Sequence, residues 1–337
     1  MKKNNILKRI IGTVALPGAM FLVMMIFCFS NGKMYFGTLA MWKTLIVKVA
    51  LAAACAMGIG LQFRCGRFDF SGGAIMLIAS IVAGNVAKNA GSNILLFSVL
   101  SIGICVGLSV IVALVYAYGR MPIVIVTIGM ALLYESVTCL MFNGRGVNLT
   151  TSLSLRKFVT YPGVLIPFIG AIIVYLVFEY LSKSGKQSSL LANNQQVAVN
   201  IGINEVRNVI VSYVYSGLIF GFATMIYAAN DLHGASFVTM STVGALFTNI
   251  LPVFIGLMLA EYCGNTIGTV MGALTLSLMS YGLSAVLNNE MGSAVSTVCT
   301  GVFILLINVA SSRGRELIKL IGTVFVGGCK SKGVQKQ

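Results

Sequence analysis

The side chains of this chain best suited to metal or acid–base chemistry are eight Asp and Glu residues, one His and eight Cys. Their spacing fits none of the common arrangements. His233 has no ligand partner at metal-binding distance along the chain, and no two cysteines form a C-x-x-C pair. There is no H-E-x-x-H, no nucleophile elbow and no pair of carboxylates within one segment. Gly185-Lys186 is followed by Gln187 and lacks the upstream glycine of a phosphate-binding loop, so no nucleotide site is legible. The sequence therefore gives no catalytic, cofactor-binding or metal-binding residue.

Charge placed inside apolar sequence remains as a source of function, because an ionisable group within a membrane span commonly serves ion coupling. Glu135, Glu179 and Asp231 are the candidates. Glu179 and Asp231 fall near the ends of apolar segments, where a helix cap or a snorkelling side chain accounts for them. Glu135, in LLYESVT, lies nearer a segment centre. It reads either as a carboxylate bonded to Ser136 or Thr138, or protonated, or as a pathway group. Asp69 stands in GRFDFSGGAIM, just ahead of an apolar run. An Asp or Ser there can accept orphan N–H groups of the following helix and complement its positive end. Arg64 and Arg67 are close enough in sequence to pair with it. Gly72 and Gly73 would then let that entry pack tightly.

These residues sit in a chain that is 58% hydrophobic and 9% charged. Soluble domains carry about 25% charged residues, so the solvent for much of this surface must be lipid. Ten apolar segments can span a bilayer at 1.5 Å per residue: roughly 11–30, 44–62, 68–88, 93–118, 121–142, 161–181, 208–230, 240–260, 264–287 and 292–311. The net charge of +15 comes from cations flanking these segments, not from a patch suited to nucleic acid. Six cations fall in loops on one side: Lys33, Lys43, Lys88, Arg145, Arg156 and Lys157. All the others except Lys48 fall on the side of the N-terminus, which puts both termini in the cytoplasm. The longest polar interruption, 182–207, is cytoplasmic on this reading, with a short surface helix expected over 190–201 and Leu190, Leu191, Val197 and Ile201 as its apolar contacts. The abundant glycines, among them Gly58, Gly84, Gly256, Gly268 and Gly272, are expected to let helices approach closely.

Four stretches together resemble the membrane permease subunit of binding-protein-dependent ABC importers of the ribose and monosaccharide type. Asp69-Phe70-Ser71-Gly72-Gly73 is similar to that family's Asp, apolar, Ser, any residue, Gly pattern. MPIVIVTIGMALLYES, 121–136, resembles its Pro-x-Phe-Ile-Val-Thr-Leu-Gly span opening at Pro122, Val126, Thr127 and Gly129, and Asn143-Gly144-Arg145 follows. Asn194, Ala198, Gly202, Ile203 and Asn204 match its cytoplasmic loop in register. GNTIGTVMGALTLSLMSYGL, 264–283, is like its Gly-rich penultimate span. The chain departs from the pattern at Asn193, Gln195, Gln196 and Val199, and at Ala260-Glu261-Tyr262-Cys263.

The resemblance implies an all-α polytopic membrane protein of about ten spans, an ABC-importer permease-like bundle in the bacterial plasma (inner) membrane. Residues 1–315 would form one permease domain with a cytoplasmic N-terminal tail, 1–10, and a coupling loop, 182–207, followed by a basic cytoplasmic tail, 316–337. It implies a dimer with a second permease copy, identical or a sister chain, separate ATPase chains that use ATP below, and an extracytoplasmic substrate-binding protein. The implied cargo is a monosaccharide or similar small polar solute. Nucleosides or other small nutrients are the nearest alternative, and an ion-coupled carrier acting alone is the rival of a different class. By the same resemblance Asn194, Gln195, Gln196, Ala198, Gly202 and Asn204 contact the ATPase. Pro122, Thr127, Gly129 and Glu135 belong to the translocation pathway. Asp69, Ser71 and Gly73 form a structural motif.

Overall fold

The computed structural model describes residues 2–287 and, beyond them, residues 295, 298, 299, 301–303 and 305; the side chains of residues 2–8, 195 and 261 are outside that description. Eleven α-helices occupy the described residues in the order α1 (Lys2–Ser30), α2 (Leu39–Arg64), α3 (Gly72–Asn89), α4 (Ile94–Gly119), α5 (Ile123–Leu140), α6 (Leu165–Leu176), α7 (Lys183–Asn193), α8 (Gln195–Asn200), α9 (Glu205–Asn230), α10 (Ser241–Cys263) and α11 (Asn265–Val286). No strand forms among them; Val147 and His233 make one isolated backbone bridge. Eight helices are long and apolar enough to cross a membrane, and α6 with its continuation makes a ninth candidate. The tenth expected span, 292–311, falls largely outside the described residues, and the basic tail 316–337 entirely so.

Helix ends follow local chemistry. Asn93 caps α4 by accepting from the N–H groups of Leu95 and Leu96, and Asn204 caps α9 by accepting from that of Arg207. The span expected at 68–88 starts later, at Gly72, because residues 65–71 turn before the helix begins. The span expected at 161–181 starts at Leu165 and ends in a π-helical turn, Val177–Leu181; α7 then leaves at 71°. Where one short helix was expected over 190–201 there are two, α7 and α8, meeting at Asn194.

The packing is that of a membrane bundle. α4, the most apolar of the candidate spans, is among the least buried, and α3, the least apolar, is the most buried. Lipid accepts apolar side chains as readily as the interior does, so small residues and hydroxyls mark the core instead. α9 is packed against α2, α3, α4 and α6, while α10, α11 and α1 form a second group joined through α2. In α9, Gly217 and Gly221 lie against the α4 backbone at Val106 and Ile102. Ser216 donates to the Gly58 carbonyl of α2. Phe21, Tyr35, Phe36, Trp42 and Tyr281 gather around the α1–α2 connection.

Candidate translocation and coupling sites

Two connections fold back into the bundle, and both matter to the expected site residues. The first is 65–71. Arg67 is buried and donates to Ser212 Oγ (2.8 Å) and Asn208 Oδ1 (3.2 Å) of α9. Arg64 pairs with Glu179 (2.9 Å). Neither arginine pairs with Asp69, which corrects the expectation from sequence proximity: the α9 amide and hydroxyl, and the Glu179 carboxylate, hold the two guanidinium groups. Asp69 Oδ1 instead accepts from the Ser71 N–H (2.8 Å) and hydroxyl (2.6 Å), closing a tight turn two residues ahead of α3. Its Oδ2 is buried without a partner meeting hydrogen-bond geometry, as is the nearby Tyr213 hydroxyl. Gly73, the second residue of α3, has no room for a side chain: a β-carbon there would lie 2.7 Å from the Thr242 carbonyl oxygen. Asp69→Ala should lower the thermal midpoint and yield of detergent-extracted protein, by about 1–3 kcal/mol for the lost charge-assisted bonds. Asp69→Asn, which keeps one acceptor, should cost less.

The second connection is 231–240. At its first residues His233 exchanges backbone hydrogen bonds with Val147 (2.8 and 3.1 Å) and stacks on Tyr227. Burial lowers the pKa of its imidazole, while the Tyr227 carbonyl beside Nε2 opposes that shift. Val147 packs on Gly84 of α3, eleven residues beyond Gly73. Between His233 and Thr242 the chain thus travels about 16 Å along α3 at 1.5 Å per residue. α10 begins in the interior, next to the start of α3.

Glu135 meets it there. This carboxylate is buried on α5, with Oε1 accepting from the Thr242 N–H (2.7 Å) and hydroxyl and Oε2 from the Met240 N–H (2.7 Å). It supplies negative charge to the unpaired N–H groups that open α10. The hydroxyls expected beside it do other work: Ser136 bonds the Leu132 carbonyl, and Thr138 donates to the Glu135 backbone carbonyl. A cavity of about 300 Å³ opens next to this contact, lined by Leu132, Glu135, Ser136, Cys139, Ser236, Phe237 and Thr239. Glu179 likewise stands at the start of α11, but it accepts from side chains, Asn265 Nδ2 and Thr266 Oγ1 (2.9 Å each).

The four expected pathway residues do not share one face. Pro122, Ile125, Gly129, Leu133, Ser136 and Leu140 form an exposed stripe along α5 at three- and four-residue spacing. Thr127 and Glu135 point into the bundle instead. Thr127 is within reach of the carbonyls of Val124 (3.3 Å) and Phe68 (3.4 Å). Pro122 occupies the cap position, one residue before the first helical turn.

The expected coupling residues divide in a similar way. Asn194 caps α8 through the Val197 N–H (3.1 Å), Gly202 turns the chain at φ +91°, and Asn204 caps α9. Ala198 is buried against Leu191 and Ile203. Gln196 is exposed, and the Gln195 side chain lies outside the described residues. Leu190, Val197 and Ile201, expected as apolar contacts, are exposed instead, with Val199 beside the last two; of that set only Leu191 is buried. Sequence reasoning missed this exposed apolar surface, whose signal was Val-x-Val-x-Ile at 197–201 in an otherwise polar loop.

Apolar helices with hydroxyls and paired charges inside, joined in two places by infolding connections, make this a polytopic membrane bundle. The chain belongs to the branched-chain amino acid transport system permease component family, whose model matches residues 41–307. It is a permease subunit of an ABC importer, a multi-pass protein of the inner membrane and a transport component rather than an enzyme. It is 30% identical over 285 residues to the galactofuranose transporter permease protein YtfT of Escherichia coli, covering 81% of this chain and 80% of that one. It is 26% identical over 249 residues to the ribose import permease protein RbsC of Escherichia coli (71% and 76%) and 24% over 269 residues to that of Bacillus subtilis (78% and 81%). No solved structure matches it.

Proposed function

We propose that this chain forms the transmembrane conduit through which an ATP-driven importer carries a monosaccharide, or a similarly small neutral polar solute, into the cell. The relatives named for ribose and galactofuranose support a sugar. The interior chemistry supports a neutral cargo. A zwitterionic amino acid would need free counter-charges of both signs, whereas Glu135, Glu179, Arg64 and Arg67 are each engaged by protein groups and, of the acids Asp69, Glu135 and Glu179, only Asp69 keeps an oxygen without a partner. The observation that carries the reading is this engaged polar interior within a family-wide permease match.

The proposed assembly has both termini in the cytoplasm and ten spans within a single domain, 1–315, followed by the tail 316–337. A second permease copy faces the exposed α5 stripe around Gly129. Separate ATPase chains hydrolyse ATP below, and a binding protein delivers the solute from outside. The 182–207 loop is the coupling element: Asn194, Gly202 and Asn204 fix its shape, and Gln195, Gln196, Val197, Val199 and Ile201 meet the ATPase. A rigid element of this kind transmits nucleotide-driven closure as a tilt of whole bundles. In proteoliposomes containing all components, uptake of labelled pentoses and hexoses should require ATP. Val197→Asp together with Ile201→Asp should remove ATPase co-purification and reduce uptake at least tenfold without lowering permease abundance. Uptake driven by an ion gradient with no ATPase present would establish a self-sufficient carrier instead.

A further inference from the structure

We propose that residues 231–242 are the outer gate of the conduit and that Glu135 is its latch. The inference rests on the transport reading above and assigns the moving part within it. The segment has the makings of a strap held at two ends. Its outer end is fixed by the paired backbone bonds of His233 and Val147, reinforced at Gly146, where a β-carbon would lie 2.2 Å from the His233 carbonyl oxygen. Its inner end is fixed by the three donors that Glu135 accepts, from Met240 and Thr242. Between these anchors the strap touches α5 through Ser236, whose N–H donates to Thr138 Oγ1 (3.0 Å) and whose carbonyl accepts from Cys139 Sγ (3.1 Å). It also carries Phe237 and Val238, which are exposed, and Met240 sits at φ +61°, a backbone conformation unfavourable for a side chain of that size.

At the inner end three bonds converge on one acidic side chain, while Ser236 and His233 hold the strap farther along. Withdrawing Glu135 would free the Met240 and Thr242 N–H groups together and release the inner end of the strap with the first turn of α10, leaving the Ser236 bonds to α5 as its next hold. α5 carries both the latch and the exposed stripe beside the cavity, so a tilt of α5 moves Glu135 relative to α10. The cavity of about 300 Å³ lies directly over the contact and is where the route would open.

Cys139 lines that cavity under the strap and gives the test a native probe. In right-side-out vesicles carrying the complete transporter, a membrane-impermeant maleimide should label Cys139 slowly, with Cys139→Ser setting the background. Glu135→Gln and Glu135→Ala should raise the labelling rate about tenfold or more, the loss expected for hydrogen bonds to a charged acceptor. Thr242→Val keeps the backbone bonds and removes only the hydroxyl, and should raise the rate about threefold. If the Glu135 variants fail to accumulate, Thr242→Val alone decides the matter. Wild-type labelling rates in variants of normal abundance overturn the latch, as does reaction of Cys139 only from the cytoplasmic side. Faster labelling in a transporter that moves no sugar leaves the latch standing and refutes the cargo assignment, so the two failures are distinguishable.

Discussion

Gly268→Val will prevent α10 and α11 from closing on each other, and the protein will be lost from the membrane fraction. A β-carbon on Gly268 would lie 2.5 Å from the Gly256 carbonyl oxygen, and one on Gly272 would lie 2.5 Å from that of Pro252. Gly256 itself faces the Thr269 backbone at 2.8 Å. The obstacles are main chain, so no rotamer change relieves them and the helices must separate by about 1 Å along much of their length. Overpacking costs about 1–3 kcal/mol at an ordinary core site. Here one separation also loosens the neighbouring contacts of both helices, so the upper end applies. Gly103→Ala and Gly107→Ala on α4 are the controls, because nothing lies within 4 Å of a β-carbon at either position. Detergent-extracted yield and thermal midpoint should collapse for Gly268→Val and stay near wild type for the two alanine variants.

Glu179→Ala has the second largest expected effect, and its basis is electrostatic. One carboxylate holds Arg64 at the end of α2 and the side chains of Asn265 and Thr266 in the first turn of α11, from its own place in the π-turn that ends α6. Glu179 is 8% exposed and Arg64 29%. Removing the acid strands a half-buried cation and two polar groups, a loss of about 2–4 kcal/mol after allowing for the solvent that reaches Arg64. Glu179→Gln retains acceptor and donor capacity but not the ion pair, and should lose less than half of that. A double-mutant cycle with Arg64→Ala separates the pair from the rest. A coupling energy indistinguishable from zero would reduce Glu179 to an acceptor for the Asn265 and Thr266 side chains.

The sequence made the spans legible because lipid imposes length and hydropathy on them directly; α4 and α11 lie within two residues of their expected limits. It did not make the infolding connections legible. Residues 231–240 read as an ordinary loop, since nothing in their composition states that they descend along α3. The partners of the acids were hidden for the same reason. Asp69 was read against the nearby Arg64 and Arg67, yet both arginines are taken by residues more than a hundred positions away. Glu135 was read against Ser136 and Thr138, yet its donors are at 240 and 242. In contrast, Asn204 at a helix start and Gly202 at a reversal are local devices, and local sequence suffices to find them. The α5 residues show a mixed case: helical spacing alone separates Gly129 from Thr127 and Glu135, but not which side faces inward.

The starts of α3 and α10 meet inside the bundle, and each contributes roughly half a positive charge. Asp69 and Glu135 stand against them, and Arg67 shares the surroundings of Tyr213 with Asp69. Counting the two helix-end partial charges with the three ionisable side chains, the sum is about zero, so this part of the interior exerts little pull on ions of either sign. A route built this way can admit an uncharged solute while leaving the cell's voltage and ion gradients intact, which any importer working in an energised membrane has to do at every turn of its cycle.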